Sequence, residues 1–287
     1  MLRSSFTSPR YASVLYVVCS CSGALFISYV LPRLVSYCST HMSTIKPAHR
    51  KTIINMLNDD YDNVSVSCLE EVIMNDPEGL KATDKKGRLP LHIAVSKQTV
   101  RLDIVRLLLQ YFEDAASVSD RFWGALPLHY CVHRDPDTTA GLRELVRLIV
   151  DAFPEGVMCR DGAGFLPIHR AANRRHLDSD VIRILLECDA AVAVVPTTNG
   201  NLALHWAVSH PTPRDKRDLE SILLIFNAYP PALYTRNCDN KTALDVLITL
   251  ASDETMEGVF EFDGKHRAVC ARDIVDVLLR CSSDTEQ

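Results

Sequence analysis

Apolar residues along most of this chain recur at i, i+3 and i+4, which is the signature of helices with one buried face. The stretches Leu102 to Leu109, Leu142 to Val150, Val181 to Leu186, Leu219 to Ile225 and Ile274 to Leu279 each carry one aliphatic stripe, interrupted by Arg, Glu or Asp. Ahead of these lie shorter segments with small faces: Ile93-Ala94-Val95, Tyr130-Cys131-Val132, Arg170-Ala171-Ala172 and Trp206-Ala207-Val208. Small residues there let neighbouring helices approach closely. Residues 49–80 read as two more helices, marked by Ile53, Ile54 and Leu57 and then by Leu69, Val72 and Ile73. Asp76-Pro77 stops the second, because Pro cannot extend a helix. The pattern predicts paired helices throughout.

The pairs are introduced by a recurring hexapeptide. Gly87-Arg-Leu-Pro-Leu-His92 returns as Gly124-Ala-Leu-Pro-Leu-His129, Gly164-Phe-Leu-Pro-Ile-His169 and Gly200-Asn-Leu-Ala-Leu-His205. A worn fifth copy is Asn240-Lys-Thr-Ala-Leu-Asp245. The copies are spaced by 37, 40, 36 and 40 residues. Such an internal repeat predicts an array that buries each stripe against the next unit, growing by stacking and not by enclosing one core. Pro suits the first position of a helix, where its missing N–H is not needed.

Gly-x-Leu-Pro-Leu-His-x-Ala followed by an aliphatic helix resembles the ankyrin repeat, whose signature is Thr-Pro-Leu-His-x-Ala. The resemblance covers about residues 66–281. It implies an all-α fold, an α-solenoid of stacked helix-turn-helix units. Residues 42–80 are then N-terminal capping helices, 81–248 the repeats, and 249–287 an acidic insertion with a C-terminal capping helix. The period exceeds the family's roughly 33 residues, which insertions between paired helices at 134–140, 211–217 and 249–271 explain. Leu89, Leu126, Leu166 and Leu202 stand where the family has its helix-capping Thr; only Thr242 keeps it. The resemblance makes His92, His129, His169 and His205 structural, each tying its loop to a neighbour, and with Leu in the Thr place we expect a backbone carbonyl as partner.

Residues 1–41 differ from the rest. Tyr11 to Pro32 is 22 residues without charge, enough to cross a bilayer as a helix, which takes roughly 20. We expect an N-terminal hydrophobic helix here, with three readings open. Residues 12–32 are a membrane anchor, or a signal peptide, or precede a true start at Met42. As an anchor, the segment has more Lys and Arg after it (Arg33, Lys46, Arg50, Lys51) than before it (Arg3, Arg10), which places the repeats in the cytoplasm.

Charge and cysteine usage narrow the function. The net charge is −5, and the first 41 residues contribute three arginines and no acid. The remainder is acidic, which argues against nucleic-acid binding, since that needs many cations on one face. The ten cysteines include no C-x-x-C pair and read as reduced thiols, which suits the cytosol.

Phosphate-binding, nucleophile-elbow and zinc-protease motifs are all absent from the sequence. No enzyme, cofactor or metal site is expected. His129 and His133 share a helix face as a metal pair would, but no third ligand accompanies them.

The expected function is a protein–protein interaction scaffold or adaptor; the alternatives are a regulatory subunit for an enzyme or channel on another chain, or an enzyme with an unrecognised site. Family practice puts recognition on the loop tips and first helices. Carried over here, that surface is Lys86, Arg88, Phe122, Trp123, His133, Arg134, Phe165, Asn173, Arg174, Asn199 and Asn201. The partner is a protein or peptide; Lys85, Lys86, Arg88, Arg134, Arg174 and Arg175 as a basic strip favour an acidic one.

Overall fold

A computed structural model describes residues 52–133, 141–210, 216–252 and 271–284. The expectations for the N-terminal hydrophobic helix, for Arg134 and the 134–140 loop, for residues 211–215 and for the acidic stretch 253–270 lie outside these residues. Among the described residues every regular element is helical, and no helix is long and apolar enough to cross a membrane.

Among the described residues twelve α-helices fall in two layers. The short helices are α1 (Ile53–Asp59), α3 (Pro90–Ser96), α5 (Pro127–Val132), α7 (Pro167–Ala172), α9 (Ala203–Val208) and α11 (Ala243–Ser252), each packed on the next. The longer partners are α2 (Val66–Asn75), α4 (Leu102–Tyr111), α6 (Leu142–Ala152), α8 (Ser179–Cys188), α10 (Lys216–Ala228) and α12 (Ala271–Asp284), which form the second layer in the same order. One continuous core runs between the layers. Ala94, Cys131, Ala171, Ala172 and Ala207 fill its tight inner side, while Leu108, Leu145, Val146, Ile182, Leu185, Ile222 and Phe226 fill the wider one. Burying each such large side chain contributes roughly 1.5–3 kcal/mol. The last short helix runs on through Ser252, into the segment assigned from sequence to the acidic insertion.

Each longer helix except the last is followed by a 3₁₀ turn: Pro77–Leu80, Glu113–Ala116, Pro154–Met158, Ala190–Ala193 and Pro230–Leu233. Each α-helix ends where Asp76, Phe112, Phe153, Asp189 or Tyr229 leaves the helical backbone region, and buried Leu80, Ala116, Val157, Ala193 and Leu233 pin the turn to the core. The N-terminal pair is tied on by side chains as well. Tyr61 donates its hydroxyl to Ala94 O at 3.1 Å, and Arg101 donates to the carbonyls of Tyr61, Asp62 and Val64.

Helices α3, α5, α7 and α9 begin without a capping hydroxyl, and histidine supplies a substitute. His92 Nδ1 accepts the Leu89 N–H at 3.2 Å; His129, His169 and His205 do the same for Leu126, Leu166 and Leu202 at 3.1, 3.0 and 3.2 Å. This is half of a capping box, with imidazole in place of the usual acid. The remaining proton sits on Nε2, which donates across to the next unit. The acceptors are Ala125 O for His92, Phe165 O for His129, Val195 O for His169, and Thr235 O with Lys241 O for His205, all within 3.0–3.3 Å. In the fifth copy Thr242 and Asp245 form the full reciprocal box, Thr242 Oγ1 accepting Asp245 N–H at 3.0 Å and Asp245 accepting Thr242 N–H at 2.9 Å. That copy has no following hexapeptide to hold, and it has no histidine.

Burial lowers the pKa of all four histidines, since nothing replaces the water that would solvate an imidazolium; His169 is pushed down to about 4 from 6.5. Protonation would also put N–H against N–H at Nδ1. Unfolding therefore takes up protons below pH 6.5. The stabilisation is complete above that pH and is lost as pH falls toward 4, by roughly 3 kcal/mol for His169 alone. Urea midpoints should be level from pH 7.5 to about 7 and fall from about pH 6.5 to 5, and the slope should be shallower in His169→Gln.

Candidate functional site

Between each 3₁₀ turn and the next short helix the chain makes a tight loop that projects from the stack. The loop closes by a backbone bond across its base: Asp84 N to Arg88 O, Asp120 N to Ala125 O, Asp161 N to Phe165 O, Thr197 N to Asn201 O and Asn237 N to Lys241 O. The opening residue also caps the loop with its side chain. Asp84 Oδ1 accepts Lys86 N–H and Arg88 N–H; Asp161 Oδ1 accepts Ala163 N–H and Phe165 N–H; Asn237 Oδ1 accepts Asp239 N–H and Lys241 N–H. These caps were not singled out from the sequence, although an Asp, Asn or Thr before each Gly or Asn240 was there to be read. The residue closing the turn has positive φ, +58° at Gly124 and +59° at Asn240, a region Gly enters freely and Asn tolerates.

The charge in each loop is largely consumed inside it. Asp84 is held by the Arg88 guanidinium at 2.7 Å; burial raises its pKa, but the bonds from Arg88 and the Lys86 N–H outweigh that and hold it below the usual carboxylate range. Asp161 is buried and takes Arg170 at 2.5 Å. Asp120 is buried too; it accepts Trp123 N–H at 2.5 Å on one oxygen and the Tyr130 hydroxyl on the other. Burial, followed by this bond to Asp120, raises the Tyr130 pKa.

The residues expected to form the binding surface divide accordingly. Lys86, Phe122, Trp123, His133 and Asn199 are exposed. Phe122 and Trp123 are 63% and 54% exposed, with their rings edge to face at 4.9 Å. Arg88 is half-buried against Asp84. Asn201 is half-buried and accepts from Asn237 Nδ2 at 2.7 Å. Phe165 is half-buried between the Arg170 guanidinium, 4.3 Å from its centroid, and the Trp206 ring at 5.2 Å. Asn173 is half-buried at the end of α7.

Arg174 departs from expectation. It is buried at 6% and presents no surface for a partner, because the chain turns inward after α7 to reach buried Leu177, whose N–H is accepted by buried Asp218. The basic strip is therefore shorter than the sequence implies. His129 and His133 are not a metal pair either: His129 is buried with both ring nitrogens bonded, and His133 is exposed at the helix end. Among the described residues no three His, Cys, Asp or Glu side chains are grouped to hold a metal ion.

A family model described as Ankyrin repeat matches residues 86–121, the first hexapeptide through the start of the second loop. The solved structures that share the arrangement include two of similar length. One is a crystal structure of EF0377, an ankyrin repeat protein, at 15% identity and a TM-score of 0.60, covering 80% of this chain and 97% of that one. The fold is that of an ankyrin-repeat array. The other, at 18% identity and a TM-score of 0.56 with the same coverage, is a chain from the complex of Bd0816, a predatory endopeptidase from Bdellovibrio bacteriovorus, with immunity protein Bd3460. No curated protein sequence matches the chain.

The loops differ in one respect that matters for display. Four run five residues from capping side chain to closing carbonyl, but the second, Asp120 to Ala125, runs six. The additional residue lies at the tip that carries Phe122 and Trp123. Asp120→Ala would strand the Trp123 N–H and the Tyr130 hydroxyl. Hydrogen bonds to a charged group are worth roughly 1.5–3 kcal/mol each, so a loss of about 3 kcal/mol in chemical denaturation is expected, with faster depolarisation of Trp123 fluorescence in the folded state.

Proposed function

We propose that this chain is a non-enzymatic scaffold or adaptor that binds a protein partner through its loop tips and the adjoining ends of the short helices. The observation that carries this is the aromatic pair Phe122–Trp123, more than half exposed on a loop held at its base, at the Trp123 N–H and at the Trp123 carbonyl. Trp and Tyr anchors dominate binding hot spots, and a rigid presentation avoids the ordering cost of a flexible one. The four repeat histidines, which are the residues most suited to acid–base work, have both nitrogens engaged in holding the stack. This supports a binding role over a catalytic one. One structure of similar fold was itself solved as a protein–protein complex.

An acidic partner is the finer reading. Lys85, Lys86 and Arg121 are exposed beside the aromatic pair, while Asp84 and Asp120 face into their loops. The uncharged run at 12–32 adds a membrane tether to this proposal, with the array on the cytoplasmic side.

Affinity capture from native lysate tests the surface. The double variant Trp123→Ala, Lys86→Glu should retain captured partner at least ten-fold less well, equivalent to about 1.4 kcal/mol, with unchanged helicity and thermal midpoint. Equal retention would reject the loop tips as the binding surface. For the tether, alkaline carbonate extraction of the full chain should leave it in the membrane pellet; release into the supernatant removes that part of the proposal.

A further inference from the structure

The second loop is the one place where the array adds a residue at a tip, and three independent contacts hold the result in place. Asp120 Oδ1 accepts the Trp123 N–H. The Trp123 carbonyl accepts the Gly162 N–H of the third loop at 2.7 Å. On the other side, the Arg121 backbone and Cβ lie directly on Gly87 of the first loop. Gly162 is itself part of the fit, since a Cβ there would stand 2.7 Å from Trp123 O. The two rings, edge to face at 4.9 Å, thus project as a fixed apolar knob between its neighbours.

On the tips of the first two loops the exposed charge has one sign. Lys85 and Lys86 on the first loop and Arg121 on the second point outward, against an overall charge of −5. The acids of these two loops, Asp84 and Asp120, are taken up by bonds to their own loop and short helix. Shape chooses between partners. An extended peptide laid across a protruding pair covers one side of the rings and leaves most of their area in water. A concavity covers both rings, and burying aromatic side chains of 150–250 Å² each is where such pairs gain their energy.

Resting on the interaction reading above, we propose that Phe122 and Trp123 insert as a knob into an apolar pocket on a folded protein partner, and that Asp and Glu side chains on the pocket rim pair with Lys85, Lys86 and Arg121. Gly162 is a positioning residue for this contact. The rim pairs speed encounter and set orientation, and the aromatic insertion sets the lifetime of the complex.

The test uses the full chain with a photoreactive benzoylphenylalanine at position 122, and in parallel at position 199 on the fourth tip, irradiated in native lysate and mapped by mass spectrometry. Crosslinks from position 122 are expected to fall on apolar residues of a folded domain, in a depression bordered by Asp or Glu. The captured complex should dissociate about ten-fold faster with Trp123→Ala and several-fold faster with Gly162→Ala. Lys85→Glu with Lys86→Glu should instead slow association several-fold and flatten its salt dependence. Crosslinks from position 122 that map to an unfolded peptide segment or to a surface without carboxylates would overturn the proposal. Crosslinks from position 199 alone would also overturn it while leaving the interaction function standing, and silence at both positions would reject both. Thermal melts of each variant separate lost binding from lost fold. If Gly162→Ala lowers the melting temperature, Phe122→Ser, which removes an exposed ring, decides the matter in its place.

Discussion

A single imidazole per repeat joins three pieces of this molecule. Its Nδ1 takes the N–H that would otherwise be orphaned at the start of a short helix, and its Nε2 gives a proton to a backbone carbonyl in the next unit. The first bond fixes the tautomer that makes the second possible. Nothing else in the hexapeptide does both jobs: Leu cannot cap, and Pro cannot donate. Where there is no next loop to reach, at Thr242 to Asp245, the chain reverts to a hydroxyl–carboxylate box that serves its own helix alone. Neutral, buried imidazole is therefore the joint between units, and the helical stripes fill the space that the joint defines.

Because the acceptor in the next unit is a main-chain carbonyl, the joint places no demand on side chains at the tips. Arg88, Ala125, Phe165, Asn201 and Lys241 close successive loops by the same base-pairing bond, although they share no chemistry. Ala125 O and Phe165 O each receive a loop N–H as well as a histidine, one lone pair for each. An array built this way can vary its projecting residues, and can admit a sixth residue in the second loop, with no change at the joint. Conserving the carbonyl's position is enough.

Much of this architecture was legible in the sequence, for a physical reason. Repetition in register exposes which positions are fixed by packing, so the paired helices follow from comparing copies, and the histidine's structural role follows from the family resemblance. Side-chain direction after a helix end is not repeated, and that is where the reading failed. Arg174 follows α7 at a place where Lys97 and His210 in other copies are only half-buried, yet it is buried beside a segment that turns in toward Asp218. The 3₁₀ turns were half visible, since three of the five carry Pro, while Glu113–Ala116 and Ala190–Ala193 use alanine-rich sequence that reads equally well as helix. The candidate site was legible as a set of exposed tips, and the loop acids that decide which charges remain outside were not.

Those acids determine the electrostatic surface by subtraction. Counting residues, the tips from 84 to 175 look strongly basic, but each buried carboxylate takes a cation or its equivalent out of play. Asp84 holds Arg88, and Asp161 holds Arg170. Asp120 instead satisfies itself with a tyrosine hydroxyl and a backbone N–H, so no arginine is drawn inward at the second loop. Arg121 is left outside there, next to Lys85 and Lys86. In the fourth and fifth loops the cap is Thr197 or Asn237, uncharged, and it makes no call on a cation. The difference between loops is thus set by the partner each cap finds one turn into its own short helix: Tyr130 in one, Arg170 in another. Exchanging those two would move a positive charge between the surface and the interior without touching any exposed residue. Local folding chemistry and the charge offered to a partner are coupled through that one position.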